Sequence, residues 1–176
     1  GYSNTHIGYE SGRDANGGNN NTTLGYETGR NSTSSSSNVW IGYQAGVLNS
    51  TGGNNVVVGY YSGRNISTGD SNVLIGTNVA TYVTQLTTGQ RNVYIGPYAR
   101  CSAADVDDEI VIGYNLTGKG TETAFIGGSN GVFQEDNSGS WSTTSDRRIK
   151  KNITDVSDSY ALDIIRKIET ISKDIL

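Results

Sequence analysis

Short apolar triplets recur along the chain, and each one ends at a glycine. Successive glycines are separated by 17, 17, 17, 17, 20, 17 and 14 residues, and they are Gly8, Gly25, Gly42, Gly59, Gly76, Gly96, Gly113 and Gly127. A fixed period is the sequence signature of a stacked repeat architecture. The pattern therefore predicts an array of eight repeat units.

Two positions of each triplet are apolar in nearly every unit. The residue before the glycine is always a branched aliphatic one, namely Ile7, Leu24, Ile41, Val58, Ile75, Ile95, Ile112 and Ile126. Two residues earlier stand Thr5, Thr22, Val39, Val56, Val73, Val93, Ile110 and Ala124. Residues i and i+2 of a β-strand share one face. We expect this shared face to be the buried one.

The residue between these two points to the opposite side of the strand. It is polar in the first two units, at His6 and Thr23, and apolar afterwards, at Trp40, Val57, Leu74, Tyr94, Val111 and Phe125. A strand that is apolar on both faces is covered on both sides. The interior of a coil covers one side, and the other side needs a partner chain. The pattern thus predicts self-association that becomes tighter towards the C-terminal units.

Asparagine and glycine mark the turns of the units. An asparagine lies four positions before the repeat glycine in six units, at Asn4, Asn21, Asn38, Asn55, Asn72 and Asn92. Its side chain can satisfy turn backbone and tolerates left-handed geometry. A second glycine four positions after the first marks tight turns or close backbone approach at Gly12, Gly29, Gly46, Gly63 and Gly131. The three extra residues between Gly76 and Gly96 fall in a loop, where an insertion costs little.

The composition favours a stacked fold over a globular one. Of the 176 residues 34% are hydrophobic and 17% charged, with 24 Gly and 1 Pro. Such a chain is too polar for one large core, yet it carries too little charge for a typical disordered segment. Repeats that each bury a little surface against their neighbours satisfy both observations. We predict an all-β chain with a β-roll or β-solenoid of about eight 17-residue repeats over residues 1–131.

Charge and hydropathy exclude several classes of partner. The formal net charge of −4 leaves no basic surface for nucleic acid. No apolar run approaches the ~18 residues that cross a bilayer, so we expect no membrane insertion. The single cysteine, Cys101, cannot form an intrachain disulfide. We also expect no cofactor.

A tyrosine directly follows the repeat glycine in five units, at Tyr9, Tyr26, Tyr43, Tyr60 and Tyr114. In stacked coils these rings would form a ladder along one corner. The interpretation we favour is structural, because such a ladder shields the corner and pairs ring on ring. The other interpretation is a contact with a host receptor through Tyr9, Tyr26, Tyr43 and Tyr60. The interruption at Thr77 and Pro97 is not typical of a continuous binding strip.

Three further motifs are explained more simply by the structure of the repeats than by a binding or catalytic function. Residues 113–121 resemble a P-loop, but Gly120 occupies the position of the metal-binding Ser or Thr. The acidic stretch 105–109 lacks the alternating ligands of a calcium-binding EF-hand, and we interpret it as a solvated charge cluster in a loop. His6 is the sole histidine, so no Ser/His/Asp or Cys/His set can be built. We expect no metal site.

The period changes after the repeats. Residues 132–144 form a polar connector, and beyond it the helical spacing 4, 3, 4 appears at Ile164, Ile168, Ile171 and Ile175. Isoleucine at both core positions of a heptad favours three or more strands over two. We predict a short C-terminal α-helix that joins three chains, in agreement with the self-association expected from the repeats.

The repeats also resemble those of known trimeric proteins. The stretches "NVWIGYQAG" and "NVVVGYYSG" resemble the repeat of trimeric adhesin heads, and they are similar to the Gly-Tyr-rich repeats of phage and virus tail fibres. The resemblance covers about residues 1–131. It implies a parallel β-roll made by a homotrimer, carried on a virion or phage-tail-like particle as a tail fibre, or on a cell surface in the case of an adhesin.

The stretch "TSDRRIKKNI" resembles the start of the S74 intramolecular chaperone, a self-cleaving module of phage tail spikes and fibres. The family begins Ser-Asp-x-Arg-(Leu/Ile)-Lys-x-Asn-Ile, which is matched by Ser145, Asp146, Arg148, Ile149, Lys150, Asn152 and Ile153. The resemblance implies that Ser145 is the nucleophile, that Lys150 is its general base, and that the Ser145–Asp146 bond is cut after assembly. A lysine acts as a base when burial or neighbouring cations lower its pKa.

The family's chaperone domain is longer than the segment 145–176 that follows the connector here. We therefore expect this segment to be the truncated start of the domain, and this chain to remain uncleaved. The expected function is a structural and receptor-binding fibre tip whose host receptor is a glycan or a protein. The alternative is a bacterial cell-surface adhesin head without processing. A carbohydrate-active enzyme is disfavoured, because no carboxylate pair repeats on one face.

Overall fold

The computed structural model describes residues 1–128 and, beyond them, the strands Val132–Gln134 and Ser142–Thr143. Two units are distinguished along the chain, Gly1–Thr144 and Ser145–Leu176. The second unit lies entirely outside the described residues, and so does the predicted C-terminal helix.

In the part of the chain that the structure describes, ten short strands form one sheet in chain order. They are β1 (Thr5–Ile7), β2 (Thr22–Leu24), β3 (Val39–Ile41), β4 (Val56–Val58), β5 (Val73–Ile75), β6 (Val93–Ile95), β7 (Ile110–Ile112), β8 (Ala124–Ile126), β9 (Val132–Gln134) and β10 (Ser142–Thr143). Strands β1 to β8 are parallel, one to each repeat, whereas β9 is antiparallel to β8 and β10 to β9. Coils 1 to 8 are numbered below by the strand that each contains.

Each strand pairs with the equivalent residues of the next repeat, as Val56 does with Val73 and Val58 with Ile75. The described residues thus form an all-β parallel solenoid of about seven turns, which confirms the solenoid predicted from the repeats. The turns carry inter-coil hydrogen bonds too, for example from the Gly29 N–H to the Ala45 carbonyl. Within the described ranges no helix is long and apolar enough to cross a membrane.

The interior of the solenoid is filled by the central residues of strands β2 to β8. The side chains of Trp40, Val57, Leu74, Tyr94 and Val111 are fully buried. The flanking pair, which we expected to be buried, points outwards instead, and this expectation was wrong. A strand of three residues alternates out, in, out, so only its central side chain enters the coil.

The increase in apolar character towards the C-terminal coils therefore belongs to the interior of the solenoid. In the first two coils the interior is polar, and His6 Nδ1 lies 2.7 Å from Thr23 Oγ1. The Ser11 hydroxyl shares the same Thr23 oxygen at 2.6 Å. Further along, buried Ala45, Ile66 and Leu86 pack against the central residues and complete the apolar core.

The repeated asparagines form a buried hydrogen-bond ladder. Asn55 Nδ2 donates to the Gly69 carbonyl of the next coil, and Asn55 Oδ1 accepts from the backbone N–H of Asn72. The same bonds recur from Asn4 to Asn92. The expected role in turn backbone is confirmed. The left-handed residue is, however, the one before each ladder position, at Ser3, Asn20, Ser37, Asn54, Ser71, Arg91, Asp108 and Glu122.

The repeat glycines lie where successive coils approach most closely. Gly59 has a φ of +137°, and a Cβ built there would lie 2.0 Å from the carbonyl oxygen of Gly76 in the next coil. The equivalent Gly42 and Gly76 show the same geometry. Only glycine can adopt this backbone conformation and also fit into the space between the coils. This explains why the period is anchored on glycine.

The three-residue insertion forms a surface bulge in coil 5. Tyr82 and Val83 at its tip are 61% and 82% exposed. The chain returns to the repeat at Leu86, which is buried and whose N–H donates to the Ala80 carbonyl at 3.1 Å. The insertion leaves the coil stack intact, as expected for extra residues in a loop.

Candidate functional site

The tyrosines that follow the repeat glycines stack along one corner of the solenoid. The ring centroids of Tyr9, Tyr26, Tyr43 and Tyr60 are separated by 5.2, 5.0 and 5.3 Å, with interplanar angles of 13°, 5° and 21°. These are offset-stacked pairs, which stabilise beyond simple burial. The predicted ring-on-ring ladder is confirmed for these four residues, whereas Tyr114, which was predicted to belong to it, is edge-on to Tyr98 at 6.2 Å. The four stacked rings remain partly exposed, from 37% at Tyr43 to 64% at Tyr9.

The ladder ends at coil 4 in a cluster of perpendicular rings. Tyr61 is edge-on to Tyr60 at 4.3 Å and to Tyr43 at 5.2 Å. The guanidinium carbon of Arg64 lies 5.5 Å from the centroid of the Tyr61 ring, within range of a cation–π interaction. Thr77 takes the ladder position in coil 5, so the aromatic row is interrupted directly beyond this cluster.

Charged side chains flank the ladder in coils 1 and 2, and they are paired. Arg30 Nη1 lies 2.9 Å from Glu27 Oε1 and 3.7 Å from Glu10 Oε2, and Arg13 Nη1 lies 2.8 Å from Glu10 Oε2. The negative charge of Glu27 raises the pKa of Tyr26. Because the ions compensate one another, this flank offers little net charge to a partner.

The outer face of the sheet is the second candidate surface. It consists of the flanking residues of strands β1 to β8, and we call it the aliphatic face. Ile7, Leu24 and Ile75 are 57%, 44% and 37% exposed, and the equivalent positions of the other coils are mostly half-buried. Contiguous apolar surface of this kind marks an interaction site.

The acidic stretch 105–109 was wrongly interpreted as wholly solvated. Asp107 and Asp108 are surface residues, and Asp108 makes a two-point ion pair with Arg91. Glu109, however, is fully buried. It stands four residues before Gly113, in the place of the ladder asparagine, and this position in the repeat could have revealed its burial from the sequence.

The Glu109 carboxylate lies at the end of the asparagine ladder and accepts hydrogen bonds from three donors. Oε2 accepts from the Tyr94 hydroxyl at 2.8 Å and from the Ser102 N–H at 3.1 Å. Oε1 accepts from the Gly120 N–H at 2.8 Å. Paired in this way a buried carboxylate is tolerated. Among the described residues no group of three or more His, Cys, Asp or Glu could hold a metal ion.

Alkaline pH is expected to destabilise this region. Burial, followed by the charge of Glu109, raises the pKa of the Cys101 thiol from 9.0 to about 12 and that of the Tyr94 hydroxyl well above 10.0. A group whose pKa is higher in the folded chain stabilises it fully below the unfolded pKa, and this contribution is lost as pH rises. The free energy of unfolding should fall above about pH 9 through Cys101 and additionally above about pH 10 through Tyr94, by about 1.4 kcal/mol per pH unit for each group.

Urea unfolding between about pH 8 and about pH 11 measures this loss. Tyr94→Phe should make the decline shallower above about pH 10, because the phenol no longer titrates in the unfolded chain. A free energy of unfolding that stayed level across this range in the unsubstituted chain would contradict the buried network.

The residues expected to carry chemistry, Ser145, Asp146 and Lys150, lie outside the described residues. The same holds for the supporting motif and for the isoleucine stripe of the trimer helix. These assignments therefore stay predictions.

Comparison of the chain with protein-family models, with curated proteins and with solved structures finds no match in any of the three. The tyrosine ladder and the aliphatic face are thus the observations from which a function can be argued.

Proposed function

We propose that this chain is part of a homotrimeric fibre that attaches a virion or a phage-tail-like particle to its host. Three solenoids would turn their aliphatic faces towards one another, and the tyrosine corner would remain on the outside. The function is mechanical and adhesive, since stacked coils joined by backbone hydrogen bonds make a stiff support for receptor contacts.

The observation that carries this proposal is the aliphatic face. Both of its side chains are aliphatic in coils 3 to 8, and one of the two is aliphatic in coils 1 and 2, where Thr5 and Thr22 take the other place. They lie on the solvent side of a sheet whose other side already fills the interior. A parallel sheet that is apolar on both sides is covered on both. A large apolar interface is typical of obligate oligomers. Three copies satisfy this requirement, and the resemblance to trimeric fibre repeats implies the same number.

A charge placed on the aliphatic face should prevent assembly. In the isolated chain Ile75 is 37% exposed, so Ile75→Lys can extend its ammonium group into water without unfolding the coil. At a trimer interface the same ammonium would be buried without a partner, at a cost of several kcal/mol per chain. We expect light scattering to show trimers for the unsubstituted chain and mainly monomers for Ile75→Lys.

Thr68→Lys is the matched control, because Thr68 is an exposed turn residue away from the aliphatic face. It should leave the trimer unchanged. If Ile75→Lys and Thr68→Lys both assembled like the unsubstituted chain, the aliphatic face would not be the interface.

The segment from Ser145 onwards supports a phage-type fibre over a plain adhesin head. In the protein with a complete chaperone module, we expect mass spectrometry to find a cut between Ser145 and Asp146. Ser145→Ala or Lys150→Ala should abolish the cut, because a serine nucleophile needs its general base. For the present chain we expect the intact mass of 18.7 kDa.

The bacterial adhesin head, our second candidate, shares the aliphatic face but needs no processing. An intact mass in every variant of the complete protein would favour it. A cut that persisted in both variants would contradict the roles of Ser145 and Lys150.

A further inference from the structure

The spacing of the stacked tyrosines leaves no room for a ligand between two adjacent rings. Their planes are nearly parallel and follow one another along the coil stack at 5.0 to 5.3 Å. A flat ligand placed between two of them would need about twice that separation. Within the ladder a sugar therefore cannot stack on the ring faces of Tyr26 or Tyr43.

The situation differs in coil 5, where the aromatic row has a gap. Thr77 stands there in the ladder position and Asn78 beside it. The N–H of Asn78 donates to the Tyr60 carbonyl at 2.8 Å, and the N–H of Tyr98 donates to the Thr77 carbonyl at 2.9 Å. Coils 4, 5 and 6 are therefore in register, and the small polar residues lie one level above Tyr60.

The next level restores a flat hydrophobic surface. Pro97, which is exposed, takes the ladder position in coil 6, and Tyr98 lies beside it. Tyr60 is 49% exposed, and its ring lies on the coil-5 side of the stack, one level before Thr77. Tyr60 and Pro97 thus stand one level before and one level after the small side chain of Thr77, which leaves a gap in the aromatic row.

The height of this gap fits one sugar ring. Adjacent strands lie about 4.8 Å apart, so the levels of Tyr60 and Pro97 are about 9.6 Å apart. A pyranose between two flat surfaces needs roughly 4 Å to each of them, about 8 Å in all. A second ring stacked on the first would not fit.

The chemistry of the gap is that of a neutral saccharide site. The side chains of Thr77 and Asn78 make no hydrogen bond to any described residue, so their hydroxyl and amide groups are available to sugar hydroxyls. The six ladder and adjacent positions of coils 4 to 6 carry no charge, and they are Tyr60, Tyr61, Thr77, Asn78, Pro97 and Tyr98. None of these six offers a cation to an acidic sugar, and the neighbouring guanidinium of Arg64 is engaged over the Tyr61 ring, 5.5 Å from its centroid.

We propose that this gap, the coil-5 notch, binds one neutral pyranose residue of a host-surface glycan. The inference rests on the proposed function as an attachment fibre, and it names the class of receptor and its place. Aromatic and polar groups that converge on a recess are typical of ligand sites.

Filling the notch tests the proposal. Thr77→Tyr continues the ladder into coil 5 and occupies the space, and Tyr60→Ala removes one wall. The probe is an array of immobilised neutral and sialylated or uronate-containing oligosaccharides, exposed to the full chain. We expect the unsubstituted protein to bind neutral glycans, and each variant to lose about tenfold or more in affinity.

Tyr26→Ala is the matched control, since it removes a ladder ring two coils away from the notch. It should lower stability but keep glycan binding, and circular dichroism shows whether each variant is folded. Absence of neutral glycan binding, binding of acidic glycans alone, or full binding by Thr77→Tyr would overturn the proposal. The mass of the assembly is read separately by light scattering, so failure of the notch is distinguishable from failure of the fibre.

Discussion

Gly59→Ala is expected to destabilise the solenoid strongly, because it adds a methyl group where coils 4 and 5 approach closely. The new Cβ would lie 2.0 Å from the Gly76 carbonyl oxygen, and the residue would have to keep a φ of +137°. Backbone in this region costs about 1–3 kcal/mol for a residue other than glycine. Relief of the clash requires coils 4 and 5 to separate, which breaks the β4–β5 hydrogen bonds. We expect the free energy of unfolding to fall by about 3 kcal/mol or more.

Gly128→Ala provides the control for this substitution. A Cβ built at Gly128 meets no atom of the described residues within 4 Å, and its φ lies outside the left-handed region. Its effect on urea unfolding should be within about 0.5 kcal/mol. Equal stabilities of the two variants would contradict the close coil contact at the repeat glycine.

The second large effect is expected from Asn55→Ala, which interrupts the buried ladder. The substitution leaves the Asn72 N–H and the Gly69 carbonyl without the partner that Asn55 supplies. Each buried group left unsatisfied costs about 1–3 kcal/mol. We expect a loss of about 2–4 kcal/mol in the free energy of unfolding, measured by urea titration followed by circular dichroism.

Asn65→Ala is the matched comparison, because the Asn65 side chain is partly exposed and makes no hydrogen bond to a described residue. It should be close to neutral. Equal losses from Asn55→Ala and Asn65→Ala would show that the ladder bonds add nothing specific to stability.

The period of the sequence is enough to place the strands and the tyrosine stack. Gly8 to Gly127 recur at nearly constant spacing, and each is preceded by a strand in register with the next. Tyr9 and Tyr60 therefore had to lie at equivalent places in their coils. The insertion after Gly76 could also be assigned to a loop, since it falls outside the triplets.

Which face of the strand points inwards could not be predicted from hydrophobicity. Val56, Val57 and Val58 are all apolar, so the sequence does not distinguish inside from outside. The geometry of the coil determines which side chain is buried, because the central side chain of each strand enters the coil and the two flanking ones do not. A partner chain is still expected. The face that it would cover is, however, the one formed by the flanking residues, the aliphatic face.

The burial of Glu109 and the proposed coil-5 notch were not predicted from the sequence, for a related reason. Residue type alone indicated a solvated acid and an interrupted ladder. Position in the repeat gives the better interpretation, since Glu109 takes the place of an asparagine and Thr77 that of a tyrosine. In a solenoid, the neighbours of a residue are its equivalents one coil away.

The molar mass of the assembled protein in solution tests the central claim most directly. Sedimentation equilibrium of the purified chain should give three times 18.7 kDa, about 56 kDa, at every concentration used. A folded species of 18.7 kDa would mean that the aliphatic face remains open to water in the isolated chain, and would contradict the trimeric fibre.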